Sequence, residues 1–124
     1  MPLTPSFSVK VELDNREVHF AARGLWDQEV LADFSRELLS KAKPLLDGNG
    51  MRVFADLTGF VAQTREIAAG IGVIMKESGK LGMDRTALLS DSVLAAMQYK
   101  RLNEGIRTEV FENRAEALAW LRED

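Results

Sequence analysis

Apolar residues in this chain change their spacing in an order that few folds satisfy. Two strand-like stretches come first, and helix-like and strand-like stretches then alternate to the end. Phe7, Val9, Val11 and Leu13 alternate with Ser8, Lys10 and Glu12, and a period of two predicts a strand with one wetted face. Asp14-Asn15 supplies a turn, because both side chains tolerate left-handed backbone. Val18, Phe20 and Ala22 then alternate with Glu17, His19 and Arg23, which predicts the second strand of an antiparallel hairpin. From Asp27, a good helix cap, the spacing lengthens to three and four: Val30, Leu31, Phe34, Leu38 and Ala42 form one stripe. Pro44 and Asp47-Gly48-Asn49-Gly50 end that helix.

The alternation continues. Residues 51–57, with Val53, Phe54 and Ala55 adjacent, predict a central strand buried on both faces. Thr64 caps a second helix over residues 65–78, with Ile67, Ile71, Ile74 and Met75 on its apolar side. Residues 86–89 predict a short buried strand. Ser90 caps a third helix over 91–103 that turns Leu94, Met97 and Leu102 inward and stops at Gly105. Residues 106–111 predict a fifth strand, and Asn113 with Glu116 opens a last helix carrying Ala117, Leu118, Trp120 and Leu121. The order β-β-α-β-α-β-α-β-α predicts a single α/β domain over residues 1–124. It has an N-terminal β-hairpin followed by four β-α turns, in a five-stranded mixed sheet with helices packed on it.

Composition narrows the function classes. Hydrophobic residues at 46% and charged residues at 28% are the balance of a folded globular chain, not a disordered one. With 16 basic and 19 acidic side chains the net charge is −3, which gives no footprint for nucleic acid and no polybasic patch for lipid heads. There is no cysteine, so disulfides, thiolate zinc sites and cysteine nucleophiles are all excluded. Residues 1–8 lack the basic and apolar regions of a signal peptide, and the longest apolar run, residues 68–75, is too short for membrane insertion. A cytoplasmic protein is the simplest expectation.

Several residues carry candidate chemistry. His19 is the only histidine and has no second ligand nearby in sequence, so it reads as structural rather than metal-binding or catalytic. Asp56 and Thr58 follow the third strand, and Ser90 and Asp91 follow the fourth. These are the strand ends where open α/β sheets place ligands, so the four form a candidate ligand rim. The plainer reading is that they serve turns and caps. Gly70-Ile71-Gly72 lies inside a helix and lacks a third glycine, so it is no dinucleotide fingerprint. Glycine there costs about 1 kcal/mol against alanine, so close packing or a binding partner must compensate. Residues 67–75 leave no clear wet face, which makes Ala68, Ala69, Gly72 and Val73 candidate partner-binding residues.

Three segments together resemble a known family. They are Gly24-Leu25-Trp26-Asp27; Val53-Phe54-Ala55-Asp56-Leu57-Thr58-Gly59-Phe60; and Val110-Phe111 followed by Glu116-Ala117-Leu118-Ala119-Trp120-Leu121. The pattern is similar to the STAS domain, in its SpoIIAA-like branch, which is distantly similar to Sec14-type (CRAL-TRIO) lipid-binding domains. The resemblance implies a non-enzymatic regulatory module without cofactors that binds a protein partner, or itself as a homodimer, through the second helix. It also implies a phosphoacceptor turn before that helix. The stretch here reads Ala62-Gln63-Thr64-Arg65-Glu66, with no serine, so Thr64 is the candidate phosphoacceptor. The Sec14 side of the likeness implies an alternative: a carrier of a small apolar or lipid ligand in a cavity lined by Ile67, Ile71, Leu94 and Met97.

Overall fold

A computed structural model of the protein describes residues 4–123, so Met1–Leu3 of the N-terminal segment read above lie outside the described residues. The hairpin forms as the alternation requires. Strand β1 (Ser6–Glu12) pairs antiparallel with β2 (Glu17–Arg23), from Ser6 opposite Arg23 to Glu12 opposite Glu17. The turn differs from expectation: the left-handed residue is Arg16 (φ 54°), not Asp14 or Asn15, and Leu13 lies beyond the strand and is exposed. Arg16 is held there by its guanidinium, which donates to the Gly50 and Leu45 carbonyls and pairs with Asp47 at 2.5 Å.

Helix α1 (Gln28–Ala42) begins at Asp27, whose carboxylate accepts the Val30 amide at 2.9 Å, and passes into a short 3-10 turn at Pro44. Then come β3 (Met51–Asp56), α2 (Arg65–Lys80), β4 (Met83–Leu89), α3 (Val93–Leu102), β5 (Arg107–Phe111) and α4 (Arg114–Leu121). The sheet order is β1-β2-β3-β4-β5, parallel from β2 onward. Because the order never reverses, right-handed crossovers place α1, α2 and α3 side by side on one face.

Two cores result. The three-helix face buries Val18, Phe20, Val53, Leu88, Leu31, Phe34, Ile67, Ile71, Met75 and Tyr99, with Trp26 packed edge-on to Phe7 and Phe60 and tilted against Phe34. Among the described residues the opposite face is covered by α4 alone, whose Ala117 and Leu121 rest on Phe54 and Ala87. Trp120 belongs to this second face, packed on Phe111 with the Arg85 guanidinium 4.9 Å from its ring centre. No helix among the described residues is long and apolar enough to cross a membrane.

One charged group is sealed at the hairpin end of the α4 face. Glu17 is wholly buried. It accepts both Nε (2.8 Å) and Nη2 (3.0 Å) of Arg122 and contacts His19 Nε2 at 2.7 Å. Burial pushes its carboxyl up, but the hydrogen bonds and charges of Arg122 and His19 outweigh that and hold it below the ordinary glutamate range. His19 stands with Glu17 as the alternation places it, edge-on to Phe54, in a structural pairing.

Candidate functional site

The parallel strands bring all four rim residues to one end of the sheet, and two of them, Asp56 and Asp91, clamp the turn that carries a third, Thr58. Asp56, at the end of β3, accepts the Thr58 amide at 3.0 Å and pairs with Arg23 at 3.3 Å. Asp91 reaches across from the β4 exit and accepts the Gly59 amide at 3.1 Å. Gly59 itself has φ 81°, and an added Cβ would lie 3.1 Å from the Arg23 side chain, so glycine fits where a larger residue would not. Burial raises the Asp56 carboxyl, but the Thr58 hydrogen bonds and the Arg23 charge more than offset it and keep it below the ordinary range. Asp56 is therefore held ionised, with its oxygens on Thr58 and Arg23, and is poorly placed to shuttle a proton. Among the described residues no group of three or more His, Asp or Glu side chains could hold a metal ion.

Ser90 does not cap the third helix. Its hydroxyl pairs with the backbone of Ser92, and Ser92 is the cap, accepting the Ala95 amide at 3.2 Å. The helix thus starts at Val93, and its rotation differs from expectation. Ala95, Ala96 and Tyr99 face the core, while Leu94 (70% exposed) and Met97 (55%) face outward with Val93 (75%). The cause is the sequence of α3: residues 93–97 are all apolar, so periodicity does not fix the inward side, and the small alanines let the helix approach the sheet closely. The cavity expected between Ile67, Ile71, Leu94 and Met97 is consequently not formed. The two isoleucines are buried in the core and the other two side chains lie outside.

Helix α2 is the middle of the three helices, and its glycines face its neighbours. A Cβ on Gly70 would sit 2.4 Å from Leu31 of α1, and one on Gly72 would sit 3.3 Å from Leu102 of α3. The glycines therefore serve helix–helix packing, where close helix–sheet packing or a partner were the two readings open from sequence. Of the four candidate partner residues, Ala69 is exposed and Val73 is 63% exposed, whereas Ala68 and Gly72 are half-buried. Gly72 is thus a packing position against α3.

Thr64 is exposed and caps α2, its hydroxyl accepting the Ile67 amide at 3.4 Å. The loop leading into it is tied to α3: Gln98 accepts the Gln63 amide at 2.7 Å and donates to its carbonyl at 3.0 Å. Gln63 also bonds the Trp26 amide and the Gly24 carbonyl. This buried glutamine, which the sequence pattern did not single out, sets the first turns of α3 beside the approach to Thr64. The surface there combines one exposed hydroxyl with three large exposed apolar side chains.

No family model matches the sequence, and no curated protein matches it significantly. Solved structures do. An uncharacterized protein of the DUF3478 family from Shewanella loihica, with a SpoIIAA-like fold, superposes at a TM-score of 0.76 with 19% identity, covering 95% of each chain. An anti-sigma factor antagonist from Mycobacterium paratuberculosis superposes at 0.62 with 10% identity, covering 99% of this chain and 98% of that one. The hairpin, the four β-α turns and these superpositions agree: the chain has the SpoIIAA-like fold of the STAS domain that its sequence resembles.

Proposed function

We propose that this chain is a non-catalytic regulatory module that binds a protein partner through the exposed side of α3 and the start of α2. The observation that carries the reading is the exposure of Val93, Leu94 and Met97 together on the first turns of one helix, beside Thr64. Large apolar side chains grouped in this way mark interaction surfaces. Covering them is worth roughly 25 cal/mol per Å² before the costs of association. The surface includes Ala69 of α2, but its weight lies on α3 rather than on the second helix alone. A protein of the same fold is an anti-sigma factor antagonist, and the proposal carries that kind of role to this chain. Within it, Thr64 is the switch. A phosphate at this cap would meet the free amides of the α2 N-terminus and would set negative charge beside the apolar patch.

The test is capture of a partner from native lysate by the wild type and by Leu94→Asp and Met97→Asp, with circular dichroism to follow folding. Both positions are more than half exposed, so both variants are expected to stay within about 0.5 kcal/mol of wild-type stability. Both should lose the partner, and Thr64→Glu should weaken it. A folded Leu94→Asp chain that captures the same partner equally well sinks the proposal. Sedimentation of the wild type against Leu94→Asp separates a second copy of the chain from a different protein.

A further inference from the structure

A second apolar feature lies at the opposite end of the three-helix face, away from α3 and the rim. Helices α1 and α2 touch where Leu31 meets Gly70. One and two turns further on, the small side chains Ser35 and Ser78 stand where larger ones would close the gap, and a groove of about 340 Å³ remains. Its floor is the core side of the sheet at the starts of β3 and β4, with Met51 and Met83, and the inward-facing Met75 of α2 lines it from above. Leu38 and Ile74 form its walls. Leu39 (57% exposed), Val73 (63%) and Leu81 (45%) stand at its mouth.

We infer that this groove binds a small, uncharged, largely aliphatic molecule. Its volume lies at the lower end of small-molecule sites, roughly 300–1,000 Å³. Three of the five methionines of the chain line it, and unbranched thioether side chains re-pack around ligands of variable shape. Charge decides the class. The polar residues of the lining are Ser35, Ser78 and Glu77, and no lysine, arginine or histidine is among them. Ser78 is occupied, donating to the Ile74 carbonyl at 2.8 Å, and Glu77, an exposed residue of the lining, is paired with Lys80 at 3.4 Å. A carboxylate or phosphate would find no counter-charge in the groove and would face Glu77, so fatty acids and phospholipid heads are disfavoured. An alkyl chain ending in a hydroxyl meets the apolar floor and has Ser35 and Glu77 as hydrogen-bond partners.

The experiment is titration of the methyl-labelled protein with decanol and, separately, with decanoate, followed by the methionine methyl resonances. Decanol is expected to shift Met51, Met75 and Met83 saturably and to leave Met97, exposed on α3, in place. Decanoate should bind at least tenfold more weakly. Ser35→Phe, which fills the groove, should weaken decanol at least tenfold, and Leu39→Glu at the exposed mouth should weaken it without disturbing the fold. Unmoved methyls up to the solubility limit of decanol overturn the inference. So do equal binding of decanoate and unchanged binding by both variants. A wild-type dimer that Leu39→Glu dissociates also overturns it, because a second copy then covers the groove. None of these outcomes bears on the Leu94→Asp test, since the two surfaces share no tested residue.

Discussion

Removing Arg122 tests whether the last turn of the chain is held to the hairpin by a buried charge. Arg122→Ala strips Glu17, a fully buried carboxylate, of both guanidinium hydrogen bonds, at 2.8 and 3.0 Å, and leaves it His19 alone. Hydrogen bonds to charged groups contribute about 1.5–3 kcal/mol, and breaking a fully buried pair costs about 3–5 kcal/mol. The Arg122 side chain is 41% exposed, which screens the pair and sets the expectation at the lower end, about 2 kcal/mol. For a domain of this size that corresponds to a fall in Tm of about 8 °C. The pH dependence gives the sign. The folded Glu17 carboxyl lies below its unfolded value, so its pairing stabilises the fold above the unfolded pKa, near 4.5, and is lost as pH falls through the folded value. Urea unfolding of wild type and variant should therefore differ by about 2 kcal/mol at pH 7, with a gap that shrinks as pH is lowered below about 4.5. Glu17→Gln combined with Arg122→Ala should show a coupling of similar size. A pH-independent gap, or one under about 0.5 kcal/mol at pH 7, would refute the reasoning.

Two further stability predictions follow from packing. Gly70→Ala and Gly72→Ala each gain about 1 kcal/mol of helix propensity. The new Cβ at 70 collides with Leu31 in the core at 2.4 Å, whereas that at 72 meets half-buried Leu102 at 3.3 Å, so thermal melts should show Gly70→Ala as the less stable of the two. Asn103 is buried and donates to Thr86 at 3.1 Å and Thr108 at 2.8 Å, joining the end of α3 to β4 and β5. Asn103→Ala should cost about 2 kcal/mol in chemical denaturation, and a neutral result would show that this polar link is dispensable.

The strands and helices were legible because their signals are local. Phe7–Val9–Val11 alternate over a wet face and Val18–Phe20–Ala22 keep the same period of two, and Asp27, Thr64 and Asn113 cap their helices with the hydrogen bonds their side chains predict. The candidate rim was legible in position but not in use. Strand ends place Asp56 and Asp91 together, yet which amides they accept depends on the path of the Leu57–Phe60 turn. The exposed patch on α3 was missed because the larger residues, Leu94 and Met97, were read as the inward ones, although Ala95 and Ala96 stand four and three residues before Tyr99, the spacing of an equally good buried stripe. The groove left a faint signal, two methionines opening β3 and β4, that means nothing until those strands lie side by side.

By itself, then, the order of hydrophobic periods determined the mixed sheet, the hairpin at its edge and the central place of residues 51–56. Period is a property of consecutive residues and survives without knowledge of neighbours. Only the tertiary structure decided the rotation of α3, the separation of α1 from α2 beyond Leu31 and Gly70, and the burial of Glu17. Each of these rests on a partner distant in the chain: Gln63 with Gln98, Leu31 with Gly70, and Glu17 with Arg122. Side chains that far apart exert no force on one another until the backbone has already brought them together, which is why no local pattern records them.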